Sequence, residues 1–289
     1  MNPNHFIPFV RLLGDAVSMA SQFPLGEYVS RKKPSIPLGA RKALFWAPHP
    51  DDECIMGALL LRMYQEMLMR AINVAVTLGS NKDRQVARLA ELREACDFIG
   101  FELLPMGLPN GLEKVTFQTR TNDPGAWGRM VGEVVKILTE EQPHTIFFPH
   151  VEDANGTHIG VHHLLMDALA KMPREFECFV VETEFWRPMA KPNLMVEVGE
   201  KDLADMIAAL TCHKGEVERN PYHLTLVAWM MDNVRRGAEL VGVQGGKAPD
   251  FLFATLYRLV KWSAGSIAPF YEGGRILTKE DNPETLFTL

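Results

Sequence analysis

Residues 43–53 read ALFWAPHPDDE, five apolar residues followed at once by a proline-stiffened cluster of potential ligands and bases. A run of this length predicts a buried strand, Ala43–Ala47. The acidic residues behind it predict a helix that starts after Asp52 and runs to about Arg70. The alternation continues, with strands at Ile72–Leu78, Leu103–Leu108, Thr145–Pro149 and Cys178–Thr183 and helical patterns at Arg84–Ile99, Trp127–Glu141 and Thr157–Lys171. Short apolar runs alternating with longer helical patterns predict an α/β fold on a mostly parallel sheet with right-handed crossovers. Such sheets bind ligands beyond the carboxyl ends of their strands, so polar residues directly after a strand carry the functional weight.

The 289 residues are 47% hydrophobic and 23% charged, a balance that excludes disordered, collagen-like and coiled-coil chains. Thirty basic against 36 acidic side chains leave a net charge of −6. No basic excess exists to neutralise a phosphate backbone, so nucleic acid is not an expected partner. Cys54, Cys96, Cys178 and Cys212 are far apart with no CxxC pair. This argues against a disulfide scaffold or thiolate metal site and for a reducing, cytoplasmic setting. The apolar stretch Phe6–Phe23 is interrupted by Arg11, Gly14 and Asp15. It is expected to be an amphipathic helix docked on the main body, not a signal peptide or a membrane span.

Two clusters stand after strands. In the first, Pro50 stiffens the turn so that His49 and Asp52 can converge while Asp51 aims at the same pocket from another side. One imidazole and one carboxylate leave a catalytic zinc short of its usual three protein ligands. In the second, HVEDANGTHIGVHH places His150, Asp153, Asn155, His158, His162 and His163 near a later strand end. His158 stands where a helix would begin after the Asn155-Gly156 turn and should face the same edge as His49. His162 and His163 are expected as a solvated or core-satisfied pair. His-x-x-Asp from one strand end and a histidine from another make a His₂Asp site, suited to zinc and also to iron, manganese or cobalt.

These residues resemble the PIG-L (LmbE-like) family of metal-dependent sugar N-deacetylases. The family's (A/P)HPDDE motif stands as Pro48–Glu53, and its R-x-x-E-L-x-x-A-x-x-x-(L/I)-G pattern is matched by Arg88, Glu91, Leu92, Ala95, Ile99 and Gly100. Its HPDH motif is similar to Asn155-Gly156-Thr157-His158, and its A-L-x-x-H to Ala209-Leu210-Thr211-Cys212-His213. The resemblance, over residues 40 to 215, implies a Rossmann-like fold. It also implies Zn2+, or another divalent metal such as Fe2+, held by His49, Asp52 and His158, with Asp51 as general base toward the metal-bound water. Two departures stand out. Asn155 replaces a family histidine that assists at the oxyanion; it can donate a hydrogen bond but cannot titrate, and His150 is the alternative donor. Asn110 stands where the family commonly has Asp. Arg88 is a candidate contact for a sugar hydroxyl or phosphate, or else pairs with Glu91. His213 is read either as pocket wall or as a surface histidine.

The organisation expected is an N-terminal helix and linker (1–37), a deacetylase core (38–215) and a C-terminal extension packed on it (216–289), irregular from Gly265. The function expected is removal of the N-acetyl group from an N-acetylglucosamine-type conjugate, a small molecule; homo-oligomerisation is left open. Two alternatives stand beside it. One is hydrolysis of another amide or a thiol-conjugate precursor on the same metal site. The other is a metal-containing carbohydrate-binding or regulatory protein that has lost turnover, for which Asn155 is the sequence argument.

Overall fold

The computed structural model describes residues 4–288; residues 1–3 and 289, the outer ends of the two terminal segments, lie outside the described residues. In chain order the elements begin with α1 (Phe6–Ala20), β1 (Lys42–Ala47), α2 (Asp52–Met56), α3 (Ala58–Glu66), β2 (Arg70–Ala75), α4 (Gln85–Ile99) and β3 (Glu102–Pro105). Next come α5 (Phe117–Asn122), α6 (Pro124–Glu141), β4 (Thr145–Pro149), α7 (Gly156–Leu169), β5 (Cys178–Thr183) and β6 (Leu194–Glu197). The chain closes with α8 (Glu200–Leu210), α9 (Lys214–Arg219), α10 (Tyr222–Leu240), β7 (Ala254–Ser263), β8 (Ser266–Pro269) and β9 (Arg275–Leu277).

The strands form one sheet in the order β3-β2-β1-β4-β5-β7-β6-β9, with β8 beside β7. From β3 to β5 all neighbours are parallel, and β7 then enters antiparallel to both β5 and β6. Residues 254–277 therefore supply strands to the same sheet as residues 42–197. The protein is a mixed α/β domain with a mostly parallel central sheet, as the alternating pattern predicts. Both faces of β1 are buried because helices cover each side. Ala43, Phe45 and Ala47 join a core with residues of α3, α4 and α8, and Leu44 and Trp46 join one with residues of α6 and α7. A strand buried on both faces reads as an unbroken apolar run, which is why ALFWA shows no alternation.

Four expectations need correction. The helix predicted from Asp52 to Arg70 is two helices broken at Gly57, where a Cβ would lie 2.1 Å from the Glu53 carbonyl oxygen. The following strand begins at Arg70, two residues before Ile72, because backbone pairing to β1 continues past the apolar run. The end of the chain is not irregular. β8 and β9 are four and three residues long, too short for a periodic signal, and are held by pairing to β7 and β6. Finally, α1 is not docked: none of its residues is buried. The chain is tied to the body only further on, where the Gly26 N–H donates to Thr211 Oγ1 at 2.9 Å and Arg31 pairs with Asp202 at 2.8 Å. Among the described residues no helix is long and apolar enough to cross a membrane. All four cysteines are free and buried.

Two tests follow from this packing. Gly160 of α7 lies against the 115–116 backbone, and a Cβ there would meet the Val115 carbonyl oxygen at 2.1 Å. Gly160→Ala is expected to cost about 1–3 kcal/mol; an unchanged melting temperature would refute the close approach. Asp167 of α7 accepts hydrogen bonds from Arg120 of α5 and Trp127 of α6, each at 2.8 Å. Burial pushes its carboxyl up, but these bonds outweigh burial and hold it below the usual carboxylate range. A depressed folded value stabilises above the unfolded value and is lost as the pH falls through the folded one. Asp167→Asn should therefore melt below wild type at pH 7, by about 1 kcal/mol. The gap should close as the pH is taken below about 4. A gap independent of pH would show that the charge does not matter.

Candidate active site

The chain leaves β1 toward β2 and leaves β4 toward β5, on opposite sides, so the adjacent carboxyl ends of β1 and β4 flank a topological switch point. His49 and Asp52 follow β1, and His158 lies in the first turn of α7, the helix after β4. The three converge: one ligand atom from each lies within 4.8 Å of the others. His49 Nδ1 stands 3.2 Å from His158 Nε2 and 3.6 Å from Asp52 Oδ2, and His158 Nε2 stands 3.5 Å from the same oxygen. Asp52 is fixed by the His49 backbone N–H, which donates to its Oδ2 at 2.9 Å.

Burial holds both imidazoles neutral. It lowers His49 to about 4 and His158 well below the usual histidine range, and the proximity of His49 lowers His158 further. Neutral imidazole is the form that ligates metal. Burial raises Asp52 well above the carboxylate range, so its charged form needs a cation close by. His158 Nδ1 is buried with no hydrogen-bond partner and faces Asp153 Oδ2 at 3.7 Å. A ligating histidine commonly uses its second nitrogen toward such a carboxylate, which sets the ring's orientation. The donor set and its backing therefore fit a divalent cation held by His49, Asp52 and His158.

Asp51 lies in the strained left-handed region, at φ 119° and ψ −27°, a conformation costing a non-glycine residue about 1–3 kcal/mol. Its N–H donates to Glu53 Oε2 at 3.0 Å, and Glu53 Oε1 in turn lies 2.8 Å from His213 Nε2. Burial opposes charge on Glu53 and His213 alike, but their mutual attraction outweighs it, lowering the first and raising the second. His213 is thus neither pocket wall nor surface residue, because it is consumed beneath the site by a buried ion pair. Cys54 lies beside this pair, its Sγ 3.2 Å from Glu53 Oε1, and burial pushes its thiol well above the usual range. The Asp51 carboxylate accepts a hydrogen bond from the Tyr222 hydroxyl and lies 3.8 Å from Arg88 Nη2. Burial and the adjacent Asp52 push it up to about 7 against the lowering effect of His213, Arg88 and Tyr222.

Arg88 does not pair with Glu91, which lies near Arg84 instead. Its Nη2 donates to the Pro50 carbonyl at 2.9 Å and braces the turn that carries Asp51. It passes over Gly79, at φ +85°, where a Cβ would lie 2.2 Å from Nη1. A cavity of about 830 Å³ opens over these groups, lined by His49, Asp51, Asp52, Arg88, Asn155 and Tyr222 among others. Asn155 caps α7 through Oδ1, which accepts from the Thr157 and His158 N–H groups; its Nδ2 is left as the available donor. His150 is buried, with Nε2 2.9 Å from the Arg187 carbonyl, and does not line the cavity. Asn110 is exposed in a loop away from the cavity wall. His162 is satisfied in the core by the Pro149 carbonyl, 2.9 Å from its Nδ1. Sequence reasoning missed Tyr222, which opens a helix without any motif, and the Glu53–His213 pairing across 160 residues. Glu53 and His213 each stand in a recognisable motif; no local signal joins them.

The fold and this constellation define an α/β protein with a candidate His₂Asp metal site at the switch point of its sheet. Residues 44–169 match the family model described as PIG-L, GlcNAc-PI de-N-acetylase. No curated protein matches it by sequence. Among solved structures it is similar to the conserved protein TT1542 from Thermus thermophilus, at 18% identity and TM-score 0.57, over 80% of this chain and 96% of that one. It is similar to N,N'-diacetylchitobiose deacetylase from Pyrococcus horikoshii, at 16% identity and TM-score 0.54, over 94% and 98% of the two chains. It is also similar to GalB, the 4-carboxy-2-hydroxymuconate hydratase from Pseudomonas putida, at 13% identity and TM-score 0.56, over 76% and 95%. At these identities the likeness is one of fold.

Removing the carboxylate behind His158 tests the metal site without touching a ligand. Asp153→Ala is expected to weaken Zn2+ affinity about 10- to 100-fold in competition with a chromophoric chelator. Unaltered affinity would show that His158 needs no such backing.

Proposed function

We propose that this protein is a metal-dependent hydrolase that removes the N-acetyl group from an N-acetylglucosamine-type conjugate. The observation that carries the proposal is the convergence of His49, Asp52 and the buried His158 beside a strained, buried Asp51, with His49, Asp51 and Asp52 lining one cavity. The PIG-L match and the deacetylase among the fold neighbours support the same reaction class. A divalent cation bound by the three ligands, with zinc the first choice and Fe2+ another, supplies Lewis acidity and lowers the pKa of water.

The chain's own residues supply the rest. Asp51 takes a proton from the attacking water and returns it to the departing amine. Tyr222 and Arg88 hold its carboxylate over the cavity, and the Glu53–His213 pair fixes its backbone from below. Asn155 Nδ2 is the donor for the developing oxyanion, since Oδ1 is committed to the helix cap. His150, bonded to the Arg187 carbonyl, is the poorer candidate for that role. Arg88 also borders the cavity, so a sugar hydroxyl can reach its remaining N–H groups. Asn110 and His213 do not line the cavity, so contact with substrate is proposed for neither. The scattered, free cysteines fit work in the cytoplasm.

Assaying released amine from a panel of N-acetylated sugars tests this directly. Asp51→Asn should lose about 10²–10⁴-fold in rate while keeping its metal, and His158→Ala should lose the metal by elemental analysis. Full activity in the first variant, or unchanged metal content in the second, would overturn the assignment. Asn155 in place of a histidine keeps one second reading alive, a metal-containing sugar-binding protein without turnover. Sugar binding with no amine released by wild type would select it.

A further inference from the structure

Helix α1 is an apolar arm held away from the body of the chain. Every residue from Phe6 to Met19 is exposed, and the side chains of Phe6, Phe9, Val10, Leu12 and Met19 are each more than half exposed. At ~100° per residue, the apolar side chains from Met19 round to Val10 sweep roughly half the circumference. Arg11, Asp15 and Ser18 share the opposite face. A helix of 15 residues is marginal in water by itself and takes its stability from a buried face. Gly14 and the β-branched Val10 and Val17 lower its propensity further. Its persistence as a helix therefore calls for a cover. The exposed parts of its eight large apolar side chains come to roughly 1,000 Å², more than the ~800 Å² per partner of a standard interface.

A second uncovered apolar surface lies on the same chain. A groove of about 490 Å³ runs between α10, through Met231, Val234 and Ala238, and the segment that follows it, through Ala248, Phe251 and Leu252. It shares no lining residue with the active-site cavity. Met231 and Leu252 are exposed along it, and the exposed Arg235 and Glu239 give it a polar rim. A single packed helix covers a stripe of about 100°. A groove with two walls meets the wider apolar arc of α1 and leaves Arg11 and Asp15 in water. A lipid surface fits less well, because lasting attachment takes a second signal such as a polybasic patch. Here Arg31 pairs with Asp202 and Asp205, Lys33 pairs with Asp97, and the chain carries a net charge of −6. We infer that α1 of one copy lies in the α10 groove of a second copy, and the reverse, in a two-fold dimer that covers both surfaces at once. This pairing does not depend on the deacetylase reading.

Sedimentation equilibrium of the full chain tests the pairing, with the 32.5 kDa monomer as reference. Wild type should sediment at twice that mass. Leu12→Glu lies on an arm that touches no core, so the chain should stay folded by circular dichroism. Its dimer dissociation constant should rise about 100-fold or more. Leu252→Glu, on the exposed groove wall, should do the same. Mixing the two variants should bring back a dimer, weaker than wild type, because one keeps an intact groove and the other an intact arm. A monomeric wild type would overturn the dimer outright. A Leu252→Glu chain that stays fully dimeric, or a mixture that stays monomeric, would show that α1 does not occupy the α10 groove of a partner. Flotation of monomeric wild type with phosphatidylcholine vesicles, lost in Leu12→Glu, would assign α1 to lipid and sink the proposal.

Discussion

Three consecutive carboxylates, Asp51, Asp52 and Glu53, are buried at the end of one strand, with exposures of 8%, 3% and 0%. Burying charge without compensation costs several kcal/mol per ion, and the surrounding structure answers each carboxylate differently. Glu53 has the His213 imidazole just after α8. Asp51 has Tyr222 from α10 and Arg88 from α4. Asp52 has a backbone N–H and two neutral imidazoles, and among the described residues no formal cation of its own within contact. A metal ion bound there, as proposed, would complete that compensation, and these partners make the turn after β1 the point on which α4, α7, α8 and α10 converge.

The same constraint explains why the site is rigid. Asp51 is held in a left-handed conformation from below by Glu53, from the side by the Arg88 bond to Pro50, and at its carboxylate by Tyr222. Strain of this kind persists only where the surroundings over-determine it. Asp153 does for the second strand end what Glu53 does for the first: it fixes the turn into α7, faces His158 and holds the segment after β5.

Much of this was legible in the chain. Unbroken apolar runs and intervening helical periods define the parallel half of the sheet, since strands covered on both faces must be apolar throughout. The residues that follow β1 and β4 were readable as ligands because position after a strand restricts where they can be. What escaped was carried by short or antiparallel backbone pairing, as in β7, β8 and β9, and by side chains whose partners are remote. The apolar character of α1 was plain, but an apolar face does not say what it lies against, and here none of it is buried.

The sequence by itself determined the α/β class, the PHPDDE turn at a strand end and the three candidate ligands, because local pattern and spacing suffice for each. Only the tertiary structure decided which polar groups work together. It placed His213 under Glu53 and not in the cavity, gave Arg88 to Pro50 and not to Glu91, and brought Tyr222 onto Asp51. It left Asn110 outside the cavity wall and α1 off the body of its own chain. These outcomes turn on contacts between residues far apart in the chain, and local composition carries no record of them.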